Sequence, residues 1–223
     1  MGKVKGLATA ATKARYGRIA PIYDLMEILP ELRYRSWRAR FWEIVQGELS
    51  RGSRLLEVGV GTGKNIPYWP QESHHTAIDL VPGMVARARR RAAKLGVEAE
   101  IMEGDAQSLQ FLEDSFDAAA ATFVFCSVPD PVLGLQELAR VVRPGGSIFL
   151  MEHVRSKNPR IGKLMDLVNP IVRNLMGPNI NRDTVRNVKR AKLAISSVID
   201  LDRGGIFKII HARNIASLGG DSN

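Results

Sequence analysis

The chain has one cysteine, Cys126, among 223 residues. A lone thiol closes no intrachain disulfide and builds no multi-thiolate zinc site, and it suits a reducing cytosol. Long apolar runs are missing too. The longest nearly apolar stretch, residues 118–129, is far short of the ~20 residues that span a bilayer as a helix. No leader pattern of basic start, apolar stretch and small-residue cleavage site is expected at the start. Gly6 stands where a myristoylation signal needs Ser or Thr. No internal repeat or low-complexity segment appears. What is present, 45% hydrophobic residues over this length, suffices for one sizeable core, so one domain with appendages is expected.

The net charge of +9 is unevenly spread. Residues 1–40 carry nine basic and three acidic side chains, and residues 151–223 carry thirteen and six. Residues 41–150 are mildly acidic, with ten basic and fourteen acidic. Basic flanks suit an anionic membrane face or a nucleic acid, and they equally serve solubility alone.

The densest signal is the stretch from Ser53 to Asn65, SRLLEVGVGTGKN. Leu55, Leu56 and Val58 read as a strand buried in a parallel sheet. Gly59, Gly61 and Gly63 follow at alternate positions, where they allow a tight turn and close approach of a ligand to the backbone. The dinucleotide fingerprint G-x-G-x-x-G fails, because Lys64 occupies its last glycine. The pattern E-x-G-x-G-x-G beginning at Glu57 instead resembles motif I of the class I S-adenosylmethionine (SAM) methyltransferases.

Further residues extend that resemblance. Tyr16 to Asp24 is similar to the Y-x-x-x-A-x-x-Y-D stretch that folds over the cofactor in many small-molecule methyltransferases. The second strand, about His75 to Ile78, ends in Asp79, sixteen residues beyond Gly63. That is the range in which Rossmann-like folds place a carboxylate on ribose hydroxyls. Pro82 opens a helix that Gly96 closes. A third strand, about Ala99 to Met102, leads to Gly104-Asp105-Ala106, which resembles the family's adenine-binding acidic motif. The fourth strand, Phe116 to Val124, is nearly unbroken in its apolar character, as a central parallel strand should be. Asp130 and Pro131 begin a helix to about Val142, and Arg143-Pro-Gly-Gly146 leads into a fifth strand, Ser147 to Glu152. Residues 153–194 read as two or three short helices over the site mouth. Two β-rich runs, Ile195 to Leu201 and Ile206 to Ala212, flank a Gly-containing turn and read as an antiparallel hairpin.

From Tyr34 to Trp42, aromatic residues interleave with arginines. Helical spacing groups Tyr34, Trp37 and Phe41 on one face, which suits either packing on the sheet or a lipid interface.

The resemblance implies an α/β fold with a Rossmann-like, seven-stranded, mostly parallel sheet whose last strand is antiparallel. A helical lid precedes it and a helical insertion follows strand five. The expected organisation is a basic flexible arm (1–15), one methyltransferase domain (16–214) with lid helices (16–45) and a substrate-side cap (153–194), and a disordered tail (215–223). SAM is the implied cofactor. Its implied contacts are Tyr16, Glu57, Gly59, Gly61, Thr62, Gly63, Asn65, Asp79, Leu80, Met84, Asp105, Ala106 and Thr122.

His153 and Tyr23 are the candidate catalytic residues. An imidazole at His153 can take a proton from a phenol, thiol or ammonium, or simply tie down its loop. No N/D-P-P-Y/F run of amine-methylating nucleic-acid enzymes follows strand four, and Cys126 lacks the Pro-Cys setting of cytosine C5 enzymes. The quinone C-methyltransferases, phospholipid N-methyltransferases and methyltransferase-like thiol methyltransferases are the similar groups. The expected acceptor is therefore a small molecule or lipid, best a phospholipid headgroup amine. A prenyl quinol, a small thiol or an RNA-associated role are the alternatives. The expected location is cytoplasmic, peripheral at the inner membrane face.

Overall fold

The computed structural model describes residues 2–20, 22–175 and 178–215. Three helices come first: α1 (Gly2–Ile19), α2 (Tyr23–Met26) and α3 (Ile28–Gly47). Then follow β1 (Arg54–Val58), β2 (His74–Asp79), α4 (Pro82–Leu95), β3 (Glu100–Glu103), β4 (Phe116–Thr122), α5 (Pro131–Val141) and β5 (Val142–His153). The chain continues through α6 (Pro159–Leu175), α7 (Thr184–Arg190), β6 (Ala194–Asp200) and β7 (Phe207–Arg213). One seven-stranded sheet runs β3-β2-β1-β4-β5-β7-β6. Its pairs are parallel except those β7 makes with β5 and β6. This is the expected Rossmann-like architecture.

Alternation along the strands builds a core on each face. Leu56, Ala119 and Ala121 face Leu135 and Leu138 of α5, whereas Leu55, Ala118 and Ala120 face Phe41, Trp42 and Val45 of α3. The four successive alanines of β4 are all fully buried, and their small volume lets helices approach a central strand from both sides. The lid helix thus packs its Trp37–Phe41–Trp42 face on the sheet.

Local chemistry sets the boundaries. Pro82 opens α4 and left-handed Gly96 closes it. Asp130 caps α5 by accepting from the N–H of Leu133, and Asp183 caps α7 through Arg186. The β6–β7 turn is held by Asp202, which accepts from Gly204, Ile206 and Phe207.

Two stretches differ in detail from expectation. Residues 2–19, read partly as a flexible arm, form one helix that lies on the sheet's C-terminal end: Lys13 pairs with Glu103 and Thr9 accepts from Gln107. The insertion holds two helices among the described residues, and α6 is a 17-residue helix running through Pro170. Proline removes one backbone hydrogen bond locally, and the helix continues through it. The expected tail from residue 216 on lies outside the described residues.

Candidate active site

A pocket opens along the carboxyl ends of the strands, where open α/β sheets place their ligands. Following the strand order, it is lined by Gly104, Asp105 and Ala106 beyond β3, Asp79 and Leu80 beyond β2, Gly59 and Gly61 beyond β1, and Thr122 and Phe123 at β4. Met84 of α4 and Thr62 complete the wall, and Tyr16, Tyr23, Glu27 and Arg38 form the roof.

Two glycines shape the cradle. Both Gly59 (φ +72°) and Gly61 (φ +55°) are left-handed. A Cβ on Gly59 would collide with Val124, whereas one on Gly61 would meet nothing within 4 Å. Space is therefore open against the backbone at Gly61. Asp79 holds this loop in place: its Oδ2 accepts from Gly61 N and its Oδ1 from Val81 N, both at 2.9 Å. Burial raises the Asp79 pKa, and the two backbone donors oppose that shift. Asp105 accepts from the N–H of Gln107 at 2.9 Å and from its side chain. A carboxylate beyond β3, another beyond β2 and an open glycine cradle next to them beyond β1 fit an adenosine with a polar tail. SAM fits this donor and acceptor set.

Two expected cofactor contacts lie outside the lining. Gly63 faces Ile66 and Ala88 instead of the pocket. Glu57 is 1% exposed and accepts from Asn65 Nδ2 and, at 2.6 Å, from Trp69 Nε1. Burial pushes its pKa to about 7. Glu57 therefore works through Asn65, which lines the pocket.

The roof is fastened by ions. Lys64 Nζ reaches Glu27 at 3.0 Å, Glu31 at 3.4 Å and Asp24 at 4.0 Å. Thr62 Oγ1 donates to Asp24 at 2.6 Å, and Arg91 lies 3.5 Å from the same carboxylate. Arg38 of α3, only 5% exposed, donates to Glu31, Asn65 and Thr122. The Tyr16 hydroxyl meets Ser127 Oγ at 2.6 Å. Burial raises the pKa of Tyr16 and of Tyr23, with Cys126 and Glu27 respectively adding to it. Both therefore stay phenols at neutral pH and serve as hydrogen-bonding groups, and Tyr23, a candidate catalytic residue, does line the pocket.

His153 is not brought into the pocket. Its ring stands edge-on to Phe207 at 5.1 Å, and its buried Nδ1 has no partner among the described residues. Burial lowers its pKa. The next residue back supplies the order: Glu152, fully buried, accepts from Val124 N and Phe125 N at 2.9 Å. It secures the loop that follows left-handed Phe123 (φ +58°). Burial raises the Glu152 pKa to about 7 and pushes the Cys126 thiol up, so the buried Cys126 stays protonated at neutral pH.

Arg38, Glu27, Lys64 and Ser127, which line the pocket, and Glu152, which secures the loop beside it, were not singled out from the sequence. A signal existed for Arg38: positions 34, 37, 38, 41, 42 and 45 recur at helical spacing, so it falls on the buried face. Among the described residues no cluster suits a metal ion, and no helix is long and apolar enough to cross a membrane.

Comparison with known proteins agrees with this geometry. Residues 56–150 match the family described as "Methyltransferase domain". The chain is 40% identical over 113 residues to phosphatidylethanolamine N-methyltransferase of Cereibacter sphaeroides, covering 49% of this chain and 56% of that one. It is 35% identical over 162 residues to the ubiquinone/menaquinone biosynthesis C-methyltransferase UbiE of Bradyrhizobium diazoefficiens, covering 67% and 62%. The chain thus spans under two thirds of the length of these two relatives. A solved SAM-dependent methyltransferase from Methanosarcina mazei superposes with a TM-score of 0.64 at 23% identity, covering 77% of this chain and 97% of that one.

Proposed function

We propose, from the premise that residues 56–150 belong to the methyltransferase-domain family, that this SAM-dependent enzyme methylates the amine of a phospholipid headgroup. Bound SAM supplies a methyl on a sulfonium, which departs as S-adenosylhomocysteine (SAH) once a nucleophile takes the methyl. The protein's own task is to align that nucleophile and exclude water.

One observation carries the amine reading. The roof beside Thr122 and Phe123 offers a carboxylate, Glu27, with two phenols, Tyr16 and Tyr23. Carboxylates and aromatic faces attract an ammonium group. Among the described lining residues there is no histidine and no cysteine. A quinol, a thiol and an ammonium must each lose one proton before attack, and this lining offers no imidazole. What favours the amine is the match of its positive charge to Glu27 and the two aromatic faces: it is held there as the ammonium, gives one proton to the Glu27 carboxylate and attacks as the free base. The phosphatidylethanolamine N-methyltransferase relative supports the same choice.

The rim supports a lipid source for that amine. Leu25, Leu29 and Leu32 of the lid are 69–77% exposed, and Leu164, Leu167 and Ile171 of α6 are 59–75% exposed. Both groups lie at the end of the sheet that holds the pocket, and α6 also carries Arg160, Lys163 and Arg173. Apolar side chains with basic neighbours suit an anionic membrane surface, so a peripheral place at the inner face belongs to this proposal.

Incubation with tritiated-methyl SAM and separate pools of phosphatidylethanolamine, quinol, thiol and RNA tests it. Label is expected in the lipid pool. Label in the quinol, thiol or RNA pool with none in the lipid refutes the amine reading.

A further inference from the structure

A second cavity, of about 340 Å³, adjoins the cofactor pocket. It lies between α1, the turn that starts α5 and the segment carrying α7, with Ala8, Pro129, Asp130, Arg182, Asn187 and Arg190 on its walls. Pro129 lines the cofactor pocket as well, so the two spaces share a wall. Thr12, one turn on from Ala8 along the same face of α1, also borders the cofactor pocket. The size suits a small charged group with its substituents.

This cavity gathers donors that lack acceptors. Arg182 is half-buried, and its Nη2 donates to Val128 O at 3.0 Å, which fixes the guanidinium against the loop before α5. Its Nε is buried and has no acceptor among the described residues. Burial lowers the Arg182 pKa, and the charge of Arg173, in the last turn of α6, adds to that. Among the described residues neither Arg182 nor Arg190 forms an ion pair, and the Asn187 amide has no partner. Asp130 is the one acid on the described lining, and its Oδ1 accepts from Leu133 N as the cap of α5. Two arginines and one aspartate leave the lining with one net positive charge. A half-desolvated guanidinium with spare donors calls for an anion.

We infer that this cavity binds a phosphodiester, the phosphate of the acceptor headgroup whose amine enters the adjoining pocket past Pro129. The identity of the carrier rests on the lipid-amine reading above; the anion site itself does not. A phosphodiester carries one negative charge, equal and opposite to that of the lining, and its two free oxygens match the donor fork of a guanidinium. In an ethanolamine headgroup a short ethylene spacer separates phosphate from amine, so the two groups occupy neighbouring spaces. Arg173 links the cavity to α6, whose exposed Leu164, Leu167 and Ile171 suit the acyl chains of the same lipid.

Calorimetry on the full chain with SAH bound tests the site with glycerophosphoethanolamine, a soluble phosphodiester, against ethanolamine and inorganic phosphate. The phosphodiester is expected to bind more tightly than either control. Arg182→Gln weakens it roughly 10- to 100-fold, as loss of a charge-assisted contact requires. Arg190→Glu, a change at an exposed position, weakens it about tenfold through like-charge repulsion and serves if Arg182→Gln folds poorly. Ethanolamine and SAH affinities stay parental in both variants. In turnover, the KM for micellar phosphatidylethanolamine rises by similar factors, and the KM for dodecylamine, which has no phosphate, does not. Parental phosphodiester affinity in both variants overturns the inference, as does a parent that binds no phosphodiester. Inorganic phosphate bound as tightly as the phosphodiester, or arginine-dependent RNA binding with an unchanged lipid KM, gives the cavity to another anion and also overturns it. Arginine-dependent phosphodiester binding without methylation of any amine upholds the anion site and refutes the amine reading alone.

Discussion

Asp79 is the residue whose removal separates cofactor binding from loop architecture. Both its oxygens accept backbone N–H groups, from Gly61 in the cradle and from Val81 at the start of α4. Each hydrogen bond to a charged group is worth about 1.5–3 kcal/mol when both partners are buried. Gly61 borders the pocket, so water replaces part of its lost contact in Asp79→Ala. A net cost of about 2 kcal/mol follows, which lowers the melting temperature by roughly 4–8 °C for a chain of this size. The expectation that Asp79 also accepts ribose hydroxyls predicts a further fall in SAH affinity of roughly 10- to 100-fold. Asp79→Asn separates the effects. Its carboxamide oxygen keeps one backbone donor while its NH2 opposes the other, so it melts between the parent and Asp79→Ala and still binds SAH weakly. Calorimetry for SAH with thermal melts on the same samples reads both quantities. An Asp79→Ala protein with parental SAH affinity refutes the ribose role, even if its melt falls. Parental melting refutes the loop role.

Glu152 gives a pH prediction of known sign. Its folded pKa is about 7 against an ordinary 4.5, so the folded state holds its proton longer. Stability from this group is complete below about 4.5 and is lost as pH rises through about 7. Glu152→Gln keeps the acceptor for Val124 and Phe125, and its NH2 replaces an oxygen that has no partner. Urea unfolding should therefore show less loss of stability between pH 5 and 8 in the variant, by about 3 kcal/mol; parallel curves contradict the burial argument. His153→Ala should leave turnover at saturating acceptor within about threefold, because the ring lies against Phe207 outside the pocket; a loss on the order of a hundredfold places it in the chemistry. Leu164→Ser/Leu167→Ser on the exposed face of α6 should weaken co-sedimentation with anionic vesicles and leave SAH affinity unchanged, since apolar area and not the pocket is altered. Equal vesicle binding removes α6 from the membrane contact.

Much of the fold was written in short-range patterns. The apolar run of β1, the Pro82 and Gly96 bounds of α4, the Asp130-Pro131 start of α5 and the terminal hairpin all depend on residues within a few positions of one another. Such signals act through local dihedrals and side-chain periodicity, which are readable in one dimension. The strand-end residues Gly59, Gly61, Asp79 and Asp105 belong with these, because a strand's carboxyl end positions whatever follows it.

Contacts across long separations were decided only by the tertiary structure. Tyr16 finds Ser127 at a separation of 111 residues, and Arg38 finds Thr122 at 84. Nothing near Arg38 in the chain distinguishes it from Arg35 or Arg40 except its helical phase, and its distant partners are Asn65, in the loop after β1, and Thr122 of β4. Glu57 and His153 went the other way. Glu57 directly adjoins pocket-lining Val58 and His153 ends β5, yet the pleat turns Glu57 toward Trp69, and His153 meets Phe207 of β7. Successive strand residues point to opposite faces, so closeness in sequence puts a side chain near the pocket end but does not aim it there. The aim is set by which helix or strand packs over it, and that is known only once the sheet has closed its neighbours around it.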